Sequence, residues 1–232
     1  DENSFLDDLG LCRHKSSMRV IRACLPVHTF GHPADIDAII AVINKHNIPL
    51  IEDAAEALGS IYKGLHVGWA AKLSTLSFNG NKTITTGGGG CVLGGRDLIK
   101  KVKHLIDAAK TGNPVNYFHD SVGFNYRMPN LNAGLGLSQF EKLSGILTAK
   151  RKIAHKYSEF FHKFDVEFFN EPTNCKSNYW LNAIVCKTPR QRDDLIYETH
   201  AEKVFTRPAW HLLSDLPPYS HCLLPKGVVR QK

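Results

Sequence analysis

Residues 20–29, VIRACLPVHT, and residues 48–52, IPLIE, are predicted to form two short buried strands, and together they decide the fold. Four apolar residues between them recur at i, i+3, i+4 and i+7, namely Ile36, Ile39, Ile40 and Ile43. This spacing predicts an amphipathic helix over 34–46, with Asn47 as its stop. Strand, helix and strand in this order form a βαβ unit, which indicates a parallel sheet.

Asp53 follows the second strand directly. Ligands of parallel sheets bind beyond the carboxyl ends of the strands, so Asp53 is predicted to lie at a binding edge. Further strands are predicted over 73–78 and 91–93, with an irregular segment rich in Gly, Asn and Thr between them. The apolar pattern then predicts helices over 96–109 and 132–161.

The pattern changes in the last third of the chain. Short strands are predicted over 166–169, 180–186 and 204–206, with a helix over 191–200. We therefore expect a large α/β domain over 1–145 and a smaller α+β domain over 146–232.

Composition excludes several classes of protein. The chain has 232 residues, 43% of them apolar, and no uncharged apolar run long enough for a membrane span is present. Six scattered cysteines without a C-x-x-C pair predict reduced thiols and a cytoplasmic location. The net charge of +7 is dispersed, which predicts a solvated surface or attraction to an anionic ligand rather than nucleic-acid binding. His28 and His32 have no third ligand nearby, so no metal site is expected.

Three side chains suit the chemistry of pyridoxal phosphate (PLP). Lysine is the side chain that forms an imine with an aldehyde cofactor, and Lys82 lies in the loop after strand 73–78. Asp53 offers the anion that keeps the pyridine nitrogen protonated, and Ser77 offers a hydroxyl for the phosphate. Asp53 and Lys82 each have an ordinary alternative, because an Asp after a strand is often a turn or cap residue and a loop lysine is often solvated.

Several segments carry a resemblance in chain order: PVH (26–28), EDAAEALGS (52–60), SFNGNK (77–82), TTGGGG (85–90), GFNYRMPN (123–130), SNYW (177–180) and T-R-P (206–208). Together they resemble the DegT/DnrJ/EryC1/StrS family of sugar aminotransferases, and most closely its legionaminic-acid type. The resemblance implies the aspartate aminotransferase-like fold type I, with a mainly parallel sheet covered by helices on both faces. It also implies PLP as the cofactor.

The resemblance also implies roles for individual residues. Lys82 would be the Schiff-base lysine and the proton shuttle. Asp53, Glu56 and Ser77 would bind the cofactor's ring and phosphate. Asn125 would reach the phosphate held by a neighbouring subunit, which implies a homodimer. Weaker candidates for substrate contacts are His28, Arg127 and Arg207.

The implied reaction transfers an amino group, with glutamate as the expected donor, to a nucleotide-linked 4-keto-6-deoxy sugar. Compared with the family pattern, the chain is expected to be truncated at both ends, and the missing N-terminal region includes a phosphate-binding loop. The alternative is therefore a non-catalytic remnant that binds PLP weakly or forms dimers.

Overall fold

A computed structural model describes residues 3–112, 115–164 and 166–223. Ten short strands are found in these ranges: β1 (Ser4–Leu6), β2 (Cys12–His14), β3 (Ile51–Asp53), β4 (Ile61–Tyr62), β5 (Leu65–His66), β6 (Leu73–Ser77), β7 (Gly90–Gly94), β8 (Glu167–Phe168), β9 (Cys175–Lys176) and β10 (Ile184–Val185). The α-helices are α1 (Ile36–Ile43), α2 (Arg96–Ile106), α3 (Asn130–Glu141), α4 (Leu143–Phe161) and α5 (Pro189–Ala201). The chain is thus a mixed α/β protein.

The predicted βαβ unit is present, with an interruption in its first strand. Residues 24–28 run parallel to β3, because Ile51 donates to the Cys24 carbonyl at 2.9 Å and Asp53 donates to the Pro26 carbonyl at 3.0 Å. Only isolated bridges form on this side. The physical reason is Pro26, which has no N–H to donate into the ladder.

Helix α1 packs on this unit as its spacing predicts. Its residues Ile36 and Ile43 form a core cluster with Leu50. The Asp35 carboxylate caps the helix by accepting a hydrogen bond from the Ala38 N–H at 3.1 Å. A short 3-10 turn follows α1 and ends at Asn47, whose φ of 52° is left-handed. The predicted helix stop at Asn47 is therefore confirmed.

The sheet that carries the site has β3 parallel to β6 and β6 antiparallel to β7. Asp53 lies opposite Thr75 in the first pair, and Ser77 lies opposite Gly90 in the second. The carboxyl ends of β3 and β6 therefore meet at one edge, with the 79–89 loop beyond them.

Besides the interrupted strand 20–29, three predicted elements differ from the structure. The helix predicted over 132–161 is two helices, because the backbone breaks at Lys142 between α3 and α4. The strand predicted over 180–186 is reduced to β10, because Trp180 instead donates its N–H to the Asn178 side chain. No strand forms at 204–206, where Thr206 bonds to side chains at the end of α5.

The predicted boundary between residues 145 and 146 falls inside α4, and the division into two domains stays a prediction. Strand β9 pairs with β4, which links the later part of the chain to the earlier part. Within the described ranges, no helix combines the length and apolar composition that crossing a bilayer requires.

Candidate active site

Asp53 ends β3 and its carboxylate is held at the sheet edge. Oδ1 accepts hydrogen bonds from the Ala55 N–H at 3.0 Å and from the Thr75 hydroxyl at 3.5 Å. Thr75 and Ser77 are two positions apart on β6, so their side chains leave the same face of the sheet. The Ser77 hydroxyl therefore lies on the face that Asp53 uses.

The loop after β6 folds back on the end of that strand. The Thr86 N–H donates to the Phe78 carbonyl at 3.0 Å, and the Phe78 N–H donates to the Gly89 carbonyl at 2.9 Å. A turn inside the loop is closed by the Lys82 N–H, which donates to the Asn79 carbonyl at 3.0 Å. These bonds place Lys82 at the strand edge rather than out in solvent.

The Lys82 side chain is largely buried, with 14% of it exposed. Nζ lies 4.0 Å from Glu56 Oε1. It also lies 4.0 Å from the ring centroid of Trp180, which is a cation–π distance. The ordinary alternative of a solvated loop lysine does not match this position.

Glu56 lies between the other charged groups. Its Oε2 accepts a hydrogen bond from the Phe30 N–H at 2.7 Å. Burial raises the pKa of Glu56, and the negative charge of Asp53 raises it further, while the Phe30 hydrogen bond, Lys82 and Arg207 act to lower it. The structure thus brings the predicted residues Asp53, Glu56, Lys82 and Arg207 into one electrostatic neighbourhood.

An aromatic wall flanks this neighbourhood. The Trp180 and Trp210 rings stack with centroids 6.0 Å apart and an angle of 11°. Phe30 lies 5.4 Å from Trp210, and the Arg207 guanidinium lies 5.2 Å from the same ring. Arg207 and Trp210 also line a cavity of about 380 Å³.

Other predicted site residues lie elsewhere. His28 is fully buried, with Nε2 2.9 Å from Glu52 Oε2 and Nδ1 accepting from the Ala34 N–H at 3.0 Å. Both ring nitrogens are thus engaged within the chain. Arg127 pairs with Asp107 at 3.1 Å on the surface, and Asn125 is exposed beside them. The suggested roles of these residues stay predictions.

Sequence reasoning missed the residues that surround Lys82 from the far end of the chain. SNYW (177–180) carried a resemblance but no role, and Trp210 carried neither. Asn178 and Trp180 are both buried against the loop that bears Lys82. The one signal was the cluster of polar and aromatic residues within a short segment.

The donor set fits PLP. Lys82 supplies a buried amine, Asp53 supplies a carboxylate at a strand end, and Ser77 supplies a hydroxyl on the same sheet face. In addition, the Asn79 N–H donates to the Ser77 hydroxyl at 3.4 Å, which leaves the hydroxyl hydrogen to donate to an acceptor. In the described part of the chain, no group of three His, Cys, Asp or Glu side chains is arranged to hold a metal ion.

Comparison with known proteins shows the family of the chain. The model of the DegT/DnrJ/EryC1/StrS aminotransferase family matches residues 14–226. A GDP-perosamine synthase from Escherichia coli O157:H7 is 36% identical over 200 residues, covering 86% of this chain and 54% of that protein. The corresponding enzyme of Vibrio cholerae is 35% identical over 203 residues, covering 86% and 55%.

Solved structures show the same fold. The aminotransferase TlmJ from Streptoalloteichus hindustanus superposes with a TM-score of 0.81 at 22% identity, covering 85% of this chain and 55% of that one. Helicobacter pylori PseC, an aminotransferase involved in the biosynthesis of pseudoaminic acid, gives 0.80 at 23% identity, covering 88% and 57%. The predicted fold type I is confirmed. The chain spans about half the length of the curated relatives that it matches.

Proposed function

Because the chain belongs to the DegT/DnrJ/EryC1/StrS aminotransferase family, we propose that it binds PLP and transfers an amino group from an amino acid to a nucleotide-linked keto sugar. The family consists of PLP-dependent sugar aminotransferases. For this chain, which spans about half of its relatives, cofactor binding, activity and substrates are the proposal.

The observation that carries the proposal is the placement of Lys82. Its side chain is 14% exposed at the carboxyl end of the sheet, with Nζ 4.0 Å from Glu56 and in the same electrostatic neighbourhood as Asp53. A buried lysine beside carboxylates is unusual for a residue without a function.

The residues present divide the work among them. When bound, PLP supplies an aldehyde that accepts an amine and a ring that takes up electrons. Lys82 would hold the cofactor and move the proton at Nζ, while Asp53 would keep a proton on the ring nitrogen. Ser77 would bind the phosphate. Glu56 would hold the Lys82 amine in place by its charge.

The overall transfer exchanges two groups. The donor's C–N bond breaks and its carbon becomes a carbonyl, so the amino acid leaves as a 2-oxo acid. The sugar's keto oxygen leaves as water and an amine takes its place. One water is consumed in turn when the carbonyl of the 2-oxo acid forms from the donor. Proton transfer by a positioned amine contributes about 10²–10⁴-fold to such a step.

The substrate is proposed to be a 4-keto-6-deoxy sugar on a nucleotide, with glutamate as donor. Arg207 borders a cavity of about 380 Å³ and acts to lower the pKa of Glu56, which supports it as the residue that would bind an anionic group. A phosphate of the nucleotide or a carboxylate of the donor would suit its guanidinium. The net charge of +7 favours anionic ligands in general.

A homodimer is proposed from the surface around Asn125. Its neighbours Phe124 and Tyr126 stack on each other at 5.2 Å while remaining exposed. Aromatic residues are enriched at protein–protein interfaces, which supports this surface as one. In the dimer, Asn125 would reach the phosphate bound by the partner.

A cytoplasmic location is proposed as well. The six cysteines are free thiols in the structure, and Cys12 is buried. Unpaired thiols persist in a reducing compartment.

The test supplies the full chain with PLP, L-glutamate and a panel of nucleotide-linked 4-keto-6-deoxy sugars. Formation of 2-oxoglutarate and of amino sugar is measured together. Both products should require PLP, disappear in Lys82→Ala and persist in Lys101→Ala, which changes an exposed lysine on α2.

Equal product formation in Lys82→Ala would overturn the proposal. A chain that holds PLP on Lys82 but forms no amino sugar would also overturn amino transfer by this chain. It would then be a cofactor-binding or dimerising module of the same family.

A further inference from the structure

The segment 177–180 lies far along the chain from Lys82 but is buried against its loop. Exposure is 1% for Ser177 and Asn178 and 5% for Trp180. Such burial of three neighbouring polar or amphipathic residues requires that their polar groups find partners. The partners lie on both sides of the proposed active site.

Trp180 contacts the Lys82 loop in two ways. Its indole N–H donates to the Asn81 carbonyl at 2.7 Å. Its ring lies under the Lys82 ammonium, at 4.0 Å from Nζ to the centroid. One side chain therefore fixes the backbone before Lys82 and the amine at the end of Lys82.

Asn178 ties the same segment to the Glu56 side of the site. Its Nδ2 donates to the Glu56 carbonyl at 2.8 Å and to the Leu58 carbonyl at 2.9 Å, and it lies 3.2 Å from the Thr83 hydroxyl. Its Oδ1 accepts a hydrogen bond from the backbone N–H of Trp180 at 2.8 Å. Asn178 thus joins the two loops and sets the backbone of Trp180.

Lys82 needs such a support. Its contact with Glu56 at 4.0 Å is at the limit of an ion pair, and a lysine has a flexible four-carbon chain. The face of the Trp180 ring restricts that chain and confines Nζ to the sheet edge without adding a negative charge.

We propose that Trp180, set by Asn178, is a positioning residue that holds the Lys82 amine at the sheet edge for its reaction with the cofactor aldehyde. The part concerning the cofactor rests on the proposed function. The contact itself does not, and it is measurable without PLP.

The first experiment measures the position of Lys82 without cofactor. The full chain is pulse-labelled with acetic anhydride, and the labelling rates of Lys82 and Lys101 are read from peptide masses. Lys101 is the exposed reference. We expect Lys82 to react about tenfold more slowly than Lys101, because the cation–π contact and burial must be broken first.

Three variants define the role of the ring. Trp180→Leu removes the ring and the N–H, and it should bring the Lys82 rate to within about threefold of Lys101. Trp180→Phe keeps a ring face and should restore much of the protection. Trp69→Phe is the matched control, since Trp69 is 76% exposed, and it should change nothing.

The second experiment adds PLP and borohydride and measures the rate at which Lys82 is modified. That rate should fall about tenfold in Trp180→Leu, recover in Trp180→Phe and stay unchanged in Trp69→Phe. If Trp180→Leu does not fold by circular dichroism, the labelling rate of Lys82 against that of Lys101 in the parent carries the test, because equal rates overturn the inference.

The outcomes separate the two proposals. Slow labelling of Lys82 that is relieved by Trp180→Leu supports positioning, even if PLP is never captured, in which case only the proposed function fails. Labelling of Lys82 at the rate of Lys101 in the parent would overturn the inference. PLP capture that is equal in all folded Trp180 variants would also overturn it while leaving the proposed function intact.

Discussion

Two sequence motifs that carry the family resemblance differ in burial, namely the Lys82 loop and the 123–130 motif. Residues 82–86 of the Lys82 loop are buried or half-buried, and the loop is bonded to residues from distant parts of the chain, with the Lys82 side chain 14% exposed. The 123–130 motif lies on the surface, with Tyr126 72% exposed and the Arg127 side chain 67% exposed. We call the Lys82 loop with its contacts the buried side of the site and the 123–130 motif the exposed side. The side chains of the buried side are held by contacts within the chain, whereas those of the exposed side face solvent.

This difference shows which parts of the site depend on the whole fold. Lys82 is held by Glu56 and Trp180, which come from separate segments, so its position changes if the packing changes. Asn125 is held by a local bridge to Asp107. We therefore expect substitutions on the buried side to affect stability and cofactor capture together, and those on the exposed side to affect neither in the isolated chain.

The largest effect is expected from Gly31→Ala on the buried side. A Cβ at Gly31 would lie 1.8 Å from Asn178 Oδ1, and the backbone φ there is +90°. The clash and the strain together should cost about 4 kcal/mol of unfolding free energy, measured by urea denaturation.

Gly64→Ala is the matched control for this substitution. Gly64 has a similar φ of +85°, but nothing lies within 4 Å of its added Cβ. It should cost only the backbone strain of about 1–2 kcal/mol. Equal costs at the two positions would mean that Asn178 is not fixed as the structure shows.

Acid should weaken the buried side through His32. Its ring lies edge-on between Phe169 and Tyr179, both at 5.1 Å, and neither ring nitrogen has a partner among the described residues. Burial lowers the pKa of His32 from 6.5 to about 4, although the charge of Glu171 opposes this. The unfolded chain therefore takes up a proton near pH 6.5 that the folded chain takes up only near pH 4.

The contribution of neutral His32 to the unfolding free energy is fully present above pH 6.5. It is lost as the pH falls toward 4, by roughly 3 kcal/mol. Unfolding of the parent and of His32→Phe is compared at pH 7 and pH 4. Between pH 7 and pH 4, His32→Phe should lose roughly 3 kcal/mol less unfolding free energy than the parent. His155→Phe, at a histidine whose side chain is 74% exposed, should behave as the parent. An identical pH response in all three proteins would contradict the assigned burial of His32.

The smallest effect is expected on the exposed side. Arg127→Ala removes an ion pair with Asp107 between two well-exposed side chains. Such pairs contribute about 0–1 kcal/mol, so the urea midpoint should hardly move. Asn125→Ala should likewise leave the midpoint unchanged, while weakening self-association in sedimentation experiments. A large loss of stability in either variant would show that this motif is structural.

The sequence could predict the parts of the site that follow from local pattern. The isoleucine spacing predicts α1, and Asp53 and Lys82 follow strands that are recognisable by their apolar runs. The support of Lys82 could not be predicted, because Trp180 and Asn81 are 99 positions apart. The apolar pattern of residues 180–186 predicted that Trp180 lies in a strand. In the structure the Asn178 side chain accepts a hydrogen bond from the backbone N–H of Trp180, and no strand forms there.

The central claim is tested most directly by finding which lysine captures PLP. The full chain is incubated with PLP, reduced with borohydride and digested, and the modified peptide is identified by mass, in parallel with Lys82→Ala and Lys101→Ala. The account predicts a single adduct on the peptide that contains Lys82, absent from Lys82→Ala and unchanged in Lys101→Ala. An adduct spread over surface lysines in all three proteins, or one that persists in Lys82→Ala, would contradict it.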